Sequence, residues 1–373
     1  MHSVDRKIPE SKAVMNQRFT GIQILRLVAA MLVVVMHLTQ AVSIHITGTG
    51  SSDYWTSGSA GVDIFFVISG FVMAATTGPS PSGMLARTQS AWLFLKRRIL
   101  RIVPLYWFYT LLKAALLVVL PSLAARSSVD AGHLAASLFF VPTMSPWGLV
   151  EPTLPVGWTL NFEMLFYAVF TLAIALALPR IRFCLLALLT VFFAGRYFQE
   201  TVPLAFYARS IVFEFIFGMG IAYYFLNSRK MPVTLGWIAM SIGLVFMFGF
   251  PWSASSDRLF TWGIAAAFLV LGALWMEPWT ERIRLAAPLS FLGDASYSIY
   301  LSHTFVVPAG VMTLYKLGVR DSLVVIPLVL LAVVAAGGLS YVWIERPMTS
   351  FLKRVFFKAP ARTVKSHEIH HAK

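Results

Sequence analysis

The stretch that decides the fold is residues 21–43, GIQILRLVAAMLVVVMHLTQAVS. It is long and apolar enough to cross a bilayer, which takes roughly 20 residues. Yet Arg26 and His37 stand inside the run. At about 100° and about 1.5 Å per residue, their spacing places them within about 20° of one helix face and about 16 Å apart along the axis. An ionisable side chain at membrane depth is costly and marks a functional site by default. Two on one face describe a polar track running from near one membrane surface toward the other.

Composition extends this reading to the whole chain. Of 373 residues, 58% are hydrophobic and 12% charged, where a soluble domain carries roughly 25% charged residues. The expected fold class is therefore an all-α integral membrane protein. The net charge of +14 raises nucleic-acid binding, but the basic residues sit in short clusters between apolar runs. That is the positive-inside pattern rather than a basic face, so nucleic acid is excluded as a partner and membrane lipids are the expected surroundings. A single cysteine, Cys184, lies within an apolar run; it rules out an intrachain disulfide and leaves the redox compartment open. A cleaved signal peptide is disfavoured by the length of the first run, the polar segment before it and the arginine inside it.

Ten runs reach or approach spanning length, near 21–43, 61–77, 99–122, 158–179, 182–196, 206–226, 233–250, 258–276, 295–314 and 322–344. An even count puts both termini on one side. The termini and even-numbered loops hold 22 of the 30 Lys and Arg residues and the odd-numbered loops six, which places both ends in the cytoplasm. The expected organisation is a cytoplasmic segment at 1–20, a membrane domain at 21–345 and a basic cytoplasmic tail at 346–373. Residues 48–59 form a Gly/Ser-rich outer loop. The longest outer loop, 123–157, contains LAASLFFVP, too short for an eleventh span. There is no internal repeat and no appended soluble domain, so any chemistry belongs to the bundle or its faces.

Several residues stand out. Arg26, about five residues inside the cytoplasmic end of span 1, either snorkels to the interface or is a fixed cation for an anionic group. His37, nearer the outer end, is either a satisfied core histidine or a base suited to a hydroxyl near neutral pH. GVDIFFVISGFVM, residues 61–73, places Asp63 where it marks a helix start, with Ser69 and Gly70 allowing close packing. KRRILRIVPLYW, residues 96–107, is a basic anchor before an aromatic belt, or a phosphate site built on Arg97, Arg98 and Arg101. GWTLNFEMLFY, residues 157–167, carries Glu163 at a depth comparable with His37, either as a supporting partner for that histidine or as polar glue. Glu214 falls in the middle of the sixth run. LGDASYSIYLSHTF, residues 292–305, opens the ninth span with Asp294 near the cytoplasmic face. It offers Tyr297, Tyr300 and His303 on neighbouring turns, for substrate hydroxyls or for bonds across helices. His367, Glu368 and His371 match H-E-x-x-H, but at the end of a polar tail without a third ligand, so no metal is expected.

Five of these motifs in order resemble the membrane acyltransferase-3 family. They are the R-x10-H pair Arg26 and His37, GVDIFFVISGF, the RRxxRIxP cluster from Arg97 to Pro104, GWTLNFE and YSIYLSH, covering residue 19 to about 350. The chain is most similar to stand-alone members that O-acetylate bacterial exopolysaccharides. The resemblance implies a ten-span bundle in the bacterial inner membrane. It further implies cytosolic acyl-CoA, expected to be acetyl-CoA, as co-substrate, and a polysaccharide or lipid-linked oligosaccharide as acceptor. It implies essential roles for Arg26 and His37 and donor binding by Arg97, Arg98 and Arg101. The residues fit that chemistry: the arginines lie at the cytoplasmic mouth, where a polyanionic donor enters, and His37 lies deeper. The expected catalytic pair is His37 with Glu163 in support, an acyl-His intermediate staying open. Asp63, Tyr300 and His303 are the candidates for holding the acceptor. A transporter or flippase for a lipid-linked glycan is the alternative; a non-catalytic scaffold would leave Arg26 and His37 unexplained.

Overall fold

The computed structural model describes residues 18–49, 54–78, 81–120, 130–227, 231–250 and 257–357. The H-E-x-x-H match lies outside the described residues. Among the described residues there is no strand beyond an isolated bridge between Met144 and Val150. Each of the ten apolar runs holds a helix: α1 Thr20–Val42, α2 Ala60–Thr76, α3 Met84–Val119, α4 Trp158–Ala175 and α5 Arg180–Tyr197, then α6 Glu214–Asn227, α7 Val233–Phe248, α8 Ile264–Trp275, α9 Ser296–Lys316 and α10 Ser322–Ser340. Six, namely α1, α2, α3, α4, α6 and α10 with their adjoining turns, are long and apolar enough to cross a membrane, and α7 and α8 are apolar but shorter. The chain is a multi-pass membrane protein. Of the remaining two, α5 carries Arg180, Arg182 and Arg196, while α9 carries three serines, three tyrosines and His303. The loop between α3 and α4 forms a short helix, Ala131–Leu138, from the LAASLFFVP neighbourhood.

Helix α1 is the centre of the bundle. It packs against α2, α8, α9, α10 and the short helix Ala286–Asp294. Three apolar clusters meet on it: Val33 joins the one built from α2 to α6, Ile22, Leu25 and Ala29 the one shared with α2, α6 and α8, and Leu27, Ala30, Val34 and Leu38 the one shared with α9 and α10. This is why Arg26 and His37 cannot simply turn to lipid.

Its first turn is held from outside. The backbone N–H groups of Thr20 and Gly21 donate to the carboxylate of Glu277, the latter at 2.8 Å, and the Arg18 guanidinium meets Asp294 at 2.5 Å and Ser290 at 3.0 Å. Helices α2 and α6 cross in close backbone contact. A Cβ at Gly70 would overlap the Phe215 carbonyl and one at Gly218 the Val67 carbonyl, so both positions keep the backbones in contact.

Helix α3 departs from the sequence reading. It begins at Met84, not near residue 99, and runs for 36 residues. The segment before the basic cluster has its own apolar face: Ala91 and Phe94 are buried, and Phe94 lies 5.0 Å from Phe170 and 6.5 Å from Tyr167. Lys96 to Arg101 therefore ride on a continuous helix rather than a loop. Helix α10 is likewise extended, through a π turn at Tyr341–Glu345, into the helix Arg346–Phe356. Lys96 Nζ donates to the Phe356 carbonyl at 2.7 Å, joining these two extensions.

Candidate active site

Arg26 and Gln23 on α1, Ser69 on α2, Arg98 and Arg101 on α3, and Glu163 and Tyr167 on α4 converge on one cavity of about 180 Å³. Tyr297 and Tyr300 of α9 and Thr159 complete its polar lining. The fold explains the convergence. Arg98 and Arg101 are three residues apart and Glu163 and Tyr167 four apart, so each pair shares a helix face, and α3 packs directly on α4. Arg26 Nη1 donates to Gln23 Oε1 at 3.1 Å, and Arg98 Nη2 to Thr76 Oγ1 at 3.1 Å. Arg97, by contrast, is outside the cavity lining. Of the three arginines expected to bind the donor, the structure brings Arg98 and Arg101 together with Arg26 and leaves Arg97 apart.

Glu163 sits among these arginines. Its carboxylate accepts from the Ser69 hydroxyl, with the Tyr167 hydroxyl, Arg98 and Arg101 in electrostatic reach. No hydrogen bond joins it to His37. The expected contact between these two is not seen: Glu163 lines the cavity with Arg26, Arg98 and Arg101, and His37 does not line it. Ser69, read as a packing residue, is a polar member of the cavity instead.

His37 is turned the other way, toward α9. Its Nδ1 lies 2.9 Å from the Val33 carbonyl and 3.3 Å from His303 Nε2, with ring centroids 5.0 Å apart. A carbonyl only accepts, so Nδ1 of His37 carries hydrogen and Nε2 keeps its lone pair. His303 is fully buried. The connection to the cavity runs through Tyr300, whose ring lies 5.9 Å from that of His303 and whose hydroxyl donates to the Val156 carbonyl at 2.8 Å. The Tyr300 hydroxyl also meets Thr159 Oγ1 at 3.0 Å.

Asp63 is fully buried and held by Arg258, whose Nε and Nη2 donate to its two carboxylate oxygens at 2.9 and 2.6 Å. It does not line the cavity. Glu214, placed by sequence in the middle of a span, opens α6 beside Asp63. Glu345 escaped the sequence reading. It accepts from Ser298 Oγ at 2.6 Å and lies in electrostatic reach of Arg26 and Arg101. The π turn that delivers it shifts the helical register, which periodicity does not reveal. Tyr167 was recoverable, being four residues from Glu163 within the same motif.

The cavity thus gathers three guanidinium groups and one carboxylate near the first turns of α1, and farther along that helix His37 meets His303 of α9. The profile of an acyltransferase domain matches residues 19–342; the chain belongs to the membrane acyltransferase-3 family. Among curated proteins, it is similar to the exopolysaccharide production protein ExoZ of Rhizobium meliloti (strain 1021), 38% identical over 313 residues, or 79% of this chain and 90% of that protein. No solved structure matches it. The protein is a membrane acyltransferase.

Proposed function

We propose that the chain transfers an acyl group, acetyl in the simplest case, from cytosolic acyl-CoA to a hydroxyl of an exported polysaccharide or its lipid-linked precursor. The observation that carries this reading is the convergence of Arg26, Arg98 and Arg101 on one cavity at the base of the helix bearing His37. Guanidinium forks suit phosphate oxygens, and CoA is a polyanion. The donor identity rests on that chemistry, and the acceptor class on the similarity to ExoZ.

The topology proposed is ten spans with both termini cytoplasmic, in a bacterial inner membrane. The ten helices and the 22-to-six distribution of basic residues support it. The Thr20 end of α1 then faces the cytoplasm, so the arginine chamber is the donor side and His37 lies toward the acceptor side.

In the reaction, Nε2 of His37 takes the proton of the acceptor hydroxyl as its oxygen attacks the thioester carbonyl. The C–O bond forms, the C–S bond breaks, and the CoA thiolate leaves with the proton returned from Nε2. Glu163, hydrogen-bonded to Ser69, balances and orders Arg98 and Arg101 rather than supporting His37. The acyl group passes from the chamber toward the histidines beside Tyr300. The test is mass spectrometry of surface polysaccharide from cells with and without the gene. One acyl mass lost per repeat on deletion is expected; an unchanged polysaccharide mass contradicts the reading.

A further inference from the structure

The contact between His303 and His37 has more content than proximity. His303 is a fully buried residue of α9, and its Nε2 points at the one His37 nitrogen already committed to the Val33 carbonyl. Two N–H groups facing each other would repel, so Nε2 of His303 meets the His37 N–H with its lone pair, and that hydrogen is shared between Val33 and His303. The ring's other polar neighbours agree. The Ile299 and Tyr300 carbonyls lie near the ring and can only accept, and Nδ1 makes no hydrogen bond, so the His303 hydrogen belongs on Nδ1.

No carboxylate stands beside either ring among the described residues. On α1 the nearest charged side chain is Arg26, three turns toward the other end. On α2, Asp63 is held by Arg258, and on Ala286–Asp294, Asp294 is held by Arg18. Helix α10 and the turn Thr56–Ser59 carry no charged residue. On α9 the titratable neighbour is Tyr300, itself bonded to Val156.

A catalytic base is commonly oriented by a third group that accepts from its far nitrogen, and that group is usually a carboxylate. Here a neutral imidazole occupies that place, in a setting where a second buried charge would be costly. We infer that His303 is a positioning residue, which fixes His37 in the tautomer that bares Nε2 and steadies the imidazolium formed when Nε2 takes the acceptor's proton. His303 exchanges no proton: the proton gained at His37 Nε2 returns to the CoA thiolate from the same atom. This inference rests on the reading of His37 as the base.

The test uses the full chain in vesicles of phosphatidylethanolamine and phosphatidylglycerol. The substrates are radiolabelled acetyl-CoA and polysaccharide purified from a strain lacking the gene. Wild type and His37→Ala settle the underlying reading: transfer by the first and none by the second lets the second comparison proceed, and any other outcome removes the basis of the inference. The second comparison is His303→Gln, which keeps an acceptor, against His303→Phe, which fills the space without one. His303→Phe is expected to lower kcat about 100-fold, with KM for both substrates changed less than about threefold, and His303→Gln to recover at least about tenfold of the loss. Wild-type kcat in His303→Phe, equal losses in both variants, or a loss confined to KM for the polysaccharide would overturn it, the last returning His303 to acceptor binding.

Discussion

Glu277 accepts the backbone N–H of Gly21 at 2.8 Å, reaching from the turn after α8 to the first turn of α1. A helix N-terminus has N–H groups without intrahelical partners, and here a carboxylate from another helix supplies what a local capping side chain would. No side chain of α1's own N-cap does so. The same contact fixes the height of α1 in the bundle, and with it the heights of Arg26 and His37.

Glu277→Ala is therefore expected to destabilise the protein by about 1–2 kcal/mol, the range for losing a helix cap. Thermal unfolding of detergent-solubilised protein reads the loss. Activity per folded molecule is expected to fall as well, because α1 is freed to slide. An unchanged unfolding midpoint would show that the clamp contributes nothing.

The arginines of α3 separate by position. Arg101→Ala is expected to raise KM for acyl-CoA by about tenfold or more, the worth of one lost charge-assisted contact, and Arg98→Ala to act similarly. Arg97→Ala, at an exposed position outside the cavity, is expected to change KM less than about twofold. Steady-state kinetics on membranes holding each variant checks this. Equal effects at all three positions would mean that the basic cluster acts as a general surface field.

The arrangement was partly legible in the sequence. The ten runs hold helices because each has more apolar side chains than any other setting could bury. Arg26, His37, Glu163 and His303 stood out because charge and imidazole are costly inside such runs. What the sequence could not show was azimuth. Glu163 and His37 have similar depth counted from the ends of their runs, yet one faces the arginines of α3 and the other faces α9. That choice is made by crossings such as Gly70 against Phe215 and Gly218 against Val67, which rotate α2 so that Ser69 meets Glu163. The length of α3 was hidden for a related reason: its first turns are amphipathic rather than apolar, and a search for spanning runs passes over them.

The Gly70 crossing gives a packing test. Gly70→Ala places a methyl against the Phe215 carbonyl, a backbone atom that cannot give way. The expected cost is about 1–3 kcal/mol, as for overpacking generally, read as reduced yield of folded protein by gel filtration. Gly220→Ala on α6, where an added Cβ meets nothing within 4 Å, is the control expected to behave as wild type.

Asp63 and Arg258 give a second. Asp63 is fully buried and its partner three-quarters buried, so Asp63→Leu removes the acceptor of two Arg258 hydrogen bonds and leaves Glu214 as the remaining buried carboxylate near that cation, with an expected loss of about 3 kcal/mol. The double replacement Asp63→Leu with Arg258→Leu is expected to recover most of it. Recovery of folded protein and of KM for the polysaccharide together would identify the pair as structural. Recovery of folding without KM would return Asp63 to acceptor binding.

In the proposed reaction His37 serves acyl transfer from CoA. The most direct measurement is transfer of radiolabel from acetyl-CoA to polysaccharide by vesicles holding wild type or His37→Ala at matched folded amounts. Label in the polysaccharide with wild type and a drop of at least about 100-fold with His37→Ala, the scale of a lost general base, is the predicted result. Undiminished transfer by His37→Ala would contradict it.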